Sequence, residues 1–216
     1  MKDINLPRKY WENKILKWEK VRYSSYLLFY PASWTIRYRM HASLKILKSQ
    51  VEKSWSVCEL GCGSGILADN LSKIVARYHG VDIAKNAIDE AVNKYANRDL
   101  SFEVGDVVNF NFQPFDLYLF LGLTDWLEIN QLESLFLNLK TKNVFFSYTE
   151  SKVLSPLNPY RIYRNFKDKE IKKNSYQALT YSEEEIKNLL EKAGFEMSVM
   201  KKASWIDPGV LVWGKK

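Results

Sequence analysis

A short glycine-rich segment carries the most informative chemistry in this sequence. The segment Glu59–Gly65, which reads ELGCGSG, follows the apolar, strand-like stretch 56–60 and precedes a helical pattern. Alternating glycines let the backbone turn tightly and let a ligand approach closely, because no Cβ stands in the way. The amides of such a turn, with the start of a following helix, can hold a negatively charged group such as a carboxylate. The segment therefore predicts a ligand-binding turn between a strand and a helix.

An acidic residue follows at the end of the next predicted strand. Residues 77–81 have a strand-like pattern that ends at Asp82. A carboxylate at that place can accept hydrogen bonds from the two hydroxyls of a ribose. The alternative is a nicotinamide or flavin dinucleotide site. Its fingerprint is Gly-x-Gly-x-x-Gly, whereas this turn reads Gly-x-Gly-x-Gly.

The elements that must position these residues alternate along most of the chain. Two helical patterns come first, in 8–22 and 34–50, with Pro31 in the connection between them. The predicted strands then lie at 56–60, 77–81, 101–104, 115–121, 144–148, 195–201 and 209–213, with helical patterns between most of them. Strands that alternate with helices predict an α/β fold with a doubly wound, mostly parallel sheet of seven strands. Ligands on such sheets bind at the carboxyl ends of the strands.

At these residues the chain resembles the class I S-adenosylmethionine-dependent methyltransferases of the small-molecule type. Residues 57–65 match the first motif of that family, and Asp82 matches its ribose-binding acid. The resemblance covers residues 50–215. It implies the Rossmann-like methyltransferase fold, an enzyme that transfers methyl groups, and S-adenosyl-L-methionine as cofactor. The resemblance implies that residues 105–107 hold the adenine and that 121–122 lie beside the reactive methyl. The full set of cofactor-binding residues that it implies is Glu59, Gly61, Cys62, Gly63, Gly65, Asp82, Ile83, Gly105, Asp106, Val107, Leu121 and Gly122.

Two residues are candidates for the catalytic step. Methyl transfer from a sulfonium depends on alignment and desolvation, and a neutral nucleophile also needs a general base. Asp125 follows the fourth predicted strand, where it could act as that base or cap the next helix. His41 lies on the N-terminal helical segment, which often covers the site in this family, although a packed or surface role is the alternative. No acidic pair of the kind used by metal-dependent catechol methyltransferases is visible, so no metal is predicted.

Two segments are extra to the common core of the family. Residues 1–50 are predicted to form a helical cap, and the methyltransferase domain, 51–216, contains a predicted substrate-lid insertion near 150–180. Arginine suits phosphate or carboxylate groups and aromatic rings suit sugar faces or other rings, although packing onto the sheet is the simpler alternative. The substrate-binding candidates are Tyr10, Trp11, Arg39, Tyr148, Tyr160 and Arg164.

The nature of the methyl acceptor follows from a weaker resemblance. The segments Tyr10–Glu19 and Ile36–Arg39 are similar to bacterial methyltransferases of surface-saccharide or specialised-metabolite assembly. This similarity implies O-methylation of a phosphorylated or nucleotide-linked sugar or a related metabolite. Methylation of a lipophilic ring substrate of the quinone or porphyrin type, or of RNA, is the alternative. A cofactor-binding protein without catalysis is a further alternative.

Composition bounds the remaining properties. The chain has 216 residues, which fits one catalytic domain, and its net charge of +7 favours an anionic small-molecule acceptor. Nucleic acid is not the expected partner, because no appended RNA-binding segment is visible. The start of the chain has no apolar signal-peptide core, and no apolar stretch is long enough to span a bilayer. Cys58 and Cys62 are expected to be free thiols. We therefore expect a cytoplasmic monomer or homodimer.

Overall fold

The fold is organised around one seven-stranded sheet. The computed structural model describes residues 6–23, 31–152, 178–204 and 207–216. The strand order is β3-β2-β1-β4-β5-β7-β6. Strands β1 to β5 are parallel, β7 is antiparallel to β5, and β6 is antiparallel to β7. The strand bounds are β1 Ser56–Leu60, β2 Arg77–Asp82, β3 Leu100–Val104, β4 Leu117–Phe120, β5 Asn143–Thr149, β6 Glu196–Lys201 and β7 Gly209–Lys215.

Helices precede the sheet and connect its strands. They are α1 Leu6–Tyr23, α2 Pro31–Gln50, α3 Ala68–Leu71, α4 Lys85–Tyr95, α5 Ile129–Asn138 and α6 Glu183–Lys192, with a short 3-10 helix at Thr124–Trp126. Pro31 is the first residue of α2, a position where a helix needs no backbone N–H donor. The Ser182 side chain caps α6 in a capping box with Glu185.

The core lies on both faces of the sheet. On one face Tyr118, Phe120 and Phe146 pack with apolar residues of α5 and α6. On the other face Leu119 and Phe145 pack with residues of α2 and α3. Successive side chains of a strand point to opposite faces, so a strand covered on both sides is apolar throughout. All four residues of β4 are buried, which explains the near-continuous apolar run at this place in the sequence.

The segment after the glycine-rich turn differs from the sequence prediction. The apolar spacing from Ile66 to Val75 predicts a regular helix, but only Ala68–Leu71 is α-helical. Several amides bond to carbonyls three residues earlier, as in Ala68 to Gly65. Bonds of this kind make tight turns while apolar side chains still reach the core. The periodicity therefore predicted burial correctly and hydrogen bonding incorrectly.

The substrate-lid insertion predicted near 150–180 lies largely outside the described residues. The structure describes residues up to 152 and again from 178. Within the described part of the chain, no helix is long and apolar enough to cross a membrane. Cys58 and Cys62 are buried free cysteines.

Candidate active site

Helix α1 lies across the carboxyl ends of the central strands. The side-chain amide of Asn86 donates to the backbone oxygen of Glu12 at 2.7 Å, which joins α1 to the start of α4. Ile15 packs with buried alanines of that same region. The Trp11 ring contacts the ring of Trp126, which follows β4, with centroids 4.8 Å apart. Helix α1 therefore extends from the end of β2 to the end of β4.

The glycine-rich turn is anchored to the end of β2. The amides of Gly61 and Cys62 donate to the carbonyl of Val81 at 2.7 and 3.1 Å. Gly63 has a φ of 55°, a left-handed conformation that favours glycine. A Cβ on Gly63 would lie 2.1 Å from Oε1 of Glu19. Glycine at this position thus permits both the turn and the approach of an α1 side chain.

Asp82 joins the glycine-rich turn to the end of β2. Its two carboxylate oxygens accept from the backbone amides of Gly63 and Ala84, each at 2.8 Å. Burial raises the pKa of Asp82, and the amide hydrogen bonds oppose that rise. Each oxygen accepts one amide, which leaves acceptor sites on the carboxylate for a ligand. Its role in holding a ribose stays a prediction.

Glu59 is a buried acid directly before the turn. The Tyr78 hydroxyl donates to its Oε2. Burial raises the pKa of Glu59 to about 8, and the negative charges of Asp82 and Glu19 add to the rise. Glu59 is therefore largely protonated at pH 7 when the site has no positive charge beside it.

A third acid comes from α1 and was missed by the sequence analysis. Glu19 is 8% exposed, and its Oε1 accepts from the backbone amide of Ser64 at 3.1 Å. Burial raises the pKa of Glu19. The available signal was its spacing, because Glu19 is four residues after the buried Ile15 and so shares its helix face. A charged residue on a buried helix stripe marks a position with a polar partner.

The ends of β4 and β5 form the other side of the site. Gly122 has a φ of 80°, and no atom of the described residues lies within 4 Å of a Cβ built on it. Asp125 is buried, and its oxygens accept from the backbone amide and the hydroxyl of Thr149 at 2.8 and 2.6 Å. This pair of hydrogen bonds ties the segment after β4 to the end of β5. The catalytic role of Asp125 stays a prediction.

The adenine-site candidates lie at the end of β3. The Gly105 amide donates to the carbonyl of Asp82 at 2.9 Å. The carboxylate of Asp106 accepts from the amide of Val108 at 3.1 Å, and Val107 is buried. These contacts place 105–107 beside the end of β2, so the predicted ribose and adenine residues are neighbours. Ile83 and Leu121 follow β2 and β4 directly and are half-buried.

Three aromatic rings meet where α1 reaches the end of β4. Tyr10 lies 5.3 Å from Trp11 and 5.5 Å from Trp126, measured between ring centroids. We call Tyr10, Trp11 and Trp126 the aromatic cluster. All three side chains are half-buried. The structure therefore brings two predicted substrate-binding residues together with a third ring that the sequence analysis did not select.

The structure describes three further candidates, which are Arg39, Tyr148 and His41. The Arg39 guanidinium pairs with Asp207 at 2.9 Å, near the start of β7. Tyr148 is fully buried within the core on the α5 and α6 side of the sheet. His41 is exposed on α2. Tyr160 and Arg164 lie outside the described residues. The roles assigned to these residues stay predictions.

Comparison with known proteins identifies the fold and gives a family match over part of the chain. Residues 57–141 match the family described as methyltransferase domain. Magnesium protoporphyrin IX methyltransferase from Synechocystis PCC 6803 with bound S-adenosylhomocysteine has a TM-score of 0.74 at 16% identity, over 99% of this chain and 100% of that chain. DhpI with S-adenosylhomocysteine gives 0.69 at 14% identity, over 98% and 96% of the two chains. A methyltransferase from Methanosarcina mazei gives 0.59 at 20% identity, over 79% and 94%. A search of curated proteins finds no match.

The residues of the site fit the cofactor of this family. S-adenosylmethionine carries two positive charges, on its sulfonium and its ammonium, and one negative carboxylate. Three acidic side chains surround the glycine-rich turn: Glu19, Glu59 and Asp82. The family match and the shared fold agree with this chemistry. The described fold is the one that these methyltransferases share, and the family model matches residues 57–141.

Proposed function

We propose that this chain methylates an oxygen of a small molecule whose flat face packs against the aromatic cluster. The observation that carries the proposal is the position of these rings. Trp126 follows Gly122 by four residues, and α1 brings Tyr10 and Trp11 against it. Aromatic rings bind the flat faces of sugars and of other rings. An acceptor held there would lie beside the open space at Gly122.

The cofactor would occupy the other half of the strand ends. Bound S-adenosylmethionine supplies a methyl group on a positively charged sulfur. Glu59 and the turn Gly61–Gly65 would hold its amino-acid part, Asp82 its ribose, and residues 105–107 its adenine. Helix α1 covers this region, which excludes water from the reacting groups.

A phosphorylated or nucleotide-linked sugar is the first candidate for the acceptor. The Lys14 ammonium contacts the Tyr10 hydroxyl and lies 4.4 Å from the centroid of the Tyr10 ring. This places a positive charge at the edge of the aromatic cluster. Lysine is a common phosphate-binding residue, so a sugar on the rings with its phosphate toward Lys14 fits both features.

A lipophilic ring compound is the second candidate. The aromatic cluster is compatible with a larger planar acceptor, and the Synechocystis enzyme with the same fold over the full chain methylates a porphyrin. The two candidates differ in charge. The sugar should need Lys14, whereas a neutral ring should not.

A screen of acceptors with matched variants tests the proposal. Release of S-adenosylhomocysteine would be followed with sugar phosphates, nucleotide-linked sugars, hydroxylated quinones and porphyrin carboxylates. Trp126→Ala should raise the acceptor KM at least about threefold, since an aromatic contact contributes about 0.5–1.5 kcal/mol. The cofactor Kd should not change. Tyr38→Ala, which removes an exposed ring of α2, is the control. An unchanged KM in Trp126→Ala would show that the acceptor binds elsewhere.

A further inference from the structure

Glu19 is an unusual group for its position. Its side chain leaves α1 and reaches the glycine-rich turn, where Oε1 accepts from the Ser64 amide at 3.1 Å. Oε2 is buried and has no hydrogen-bond partner among the described residues. An unpartnered buried carboxylate oxygen is costly, so a ligand that supplies a donor there would remove that cost.

The charges around Glu19 indicate what kind of ligand that is. Burial raises the pKa of Glu19 and the negative charge of Asp82 adds to the rise, whereas the hydrogen bonds with Ser64 and the positive charge of Lys94 lower it. The Lys94 ammonium is exposed and pairs with Glu90, so it does not reach the turn. Glu19 forms no ion pair within the part of the chain that the structure describes. A cation is therefore the ligand that this carboxylate favours.

We propose that Glu19 binds the α-ammonium group of S-adenosylmethionine through Oε2. The proposal rests on the proposed placement of the amino-acid part of the cofactor at the glycine-rich turn. Ser64 holds Oε1 and Gly63 leaves room for the carboxylate, so Oε2 of the same carboxylate lies buried at the turn without a partner among the described residues. Helix α1 thus supplies a cofactor ligand as well as a cover.

This contact couples the position of α1 to the cofactor. The bound ammonium stabilises Glu19 in the site, and Glu19 belongs to the helix that also carries Tyr10 and Trp11. By linkage, docking of α1 and cofactor binding strengthen each other by the same factor. Cofactor binding would therefore also stabilise the position of the acceptor-binding rings of α1.

Calorimetry with two ligands tests the proposal on the full chain. S-adenosylhomocysteine keeps the ammonium, and 5′-methylthioadenosine has the adenosine but no amino-acid part. Glu19→Gln should weaken S-adenosylhomocysteine about tenfold or more, as for a lost charge-assisted hydrogen bond, and change 5′-methylthioadenosine less than twofold. Glu133→Gln, which removes a carboxylate from α5, is the matched control and should change neither.

The opposite outcomes overturn the proposal. Tighter binding of S-adenosylhomocysteine to Glu19→Gln would mean that Glu19 competes with the cofactor carboxylate for the Ser64 amide. Unchanged binding, or equal weakening of both ligands, would also refute an ammonium contact. Glu19→Asp keeps the charge on a shorter side chain and should give an intermediate loss, which guards against a Gln variant that folds poorly. If the wild-type chain binds neither ligand, the cofactor assignment itself fails.

Discussion

Replacing Gly63 by alanine probes the contact between α1 and the glycine-rich turn. Gly63 has a φ of 55°, and its new Cβ would lie 2.1 Å from Oε1 of Glu19. The left-handed backbone alone costs a non-glycine residue about 1–2 kcal/mol. To avoid this Cβ, the carboxylate must also move so far that its 3.1 Å hydrogen bond from the Ser64 amide is lost. Loss of a hydrogen bond to a charged group adds about 1.5–3 kcal/mol.

Gly122→Ala is the matched control for this substitution. Gly122 also has a left-handed φ, of 80°, but a Cβ there meets no atom of the described residues within 4 Å. Gly122→Ala should therefore lower the free energy of unfolding only by the cost of the left-handed backbone. We expect Gly63→Ala to lower the free energy of unfolding by about 1–2 kcal/mol more than Gly122→Ala. This difference is near the lower end of the hydrogen-bond contribution, because a displaced carboxylate regains hydrogen bonds with water.

Urea unfolding of the chain without ligand measures this difference. The double variant Gly63→Ala/Glu19→Ala should recover most of the extra loss, because the clash is then absent. Equal destabilisation by Gly63→Ala and Gly122→Ala would refute the reasoning. It would mean that Glu19 does not occupy the space above Gly63 in the folded chain.

Three further predictions concern the other acids of the site. Asp82→Ala should weaken S-adenosylhomocysteine binding in calorimetry, and unchanged affinity would remove Asp82 from the ribose site. The same substitution should lower the free energy of unfolding by about 1–3 kcal/mol, because two backbone amides lose their acceptor. Asp125→Asn should lower kcat more than it raises the cofactor Kd, and normal turnover would exclude Asp125 from the reaction. The pKa of Glu59 rises on folding from 4.5 to about 8, so the folded chain keeps a proton that the unfolded chain releases. The stability that this group contributes is full below pH 4.5 and is lost as the pH rises through 8. The difference in unfolding free energy between the wild type and Glu59→Gln should therefore fall over that interval, and a constant difference in urea melts would contradict the raised pKa.

The sequence alone was sufficient for the fold class. Strand-like apolar segments alternate with helical patterns because each strand of a parallel sheet is buried on both faces and each connecting helix on one. The seven-stranded sheet is confirmed, and residues 57–141 match the methyltransferase domain family. The turn at Glu59–Gly65 could be predicted from the sequence because a tight turn that a ligand approaches closely requires glycine at particular positions. The individual site residues and the acceptor stay predictions.

Tertiary structure decided which side chains surround the glycine-rich turn and which are used for packing elsewhere. Glu19 meets Ser64 across 45 residues, and Arg39 meets Asp207 across 168. The partners of Asp125 likewise lie on another strand. Such contacts depend on how α1 crosses the strand ends and how α2 packs on the sheet. Local periodicity does not encode these positions, because it specifies only which helix face is buried. The periodicity also does not distinguish a buried acidic side chain that binds a ligand from one that only stabilises the fold.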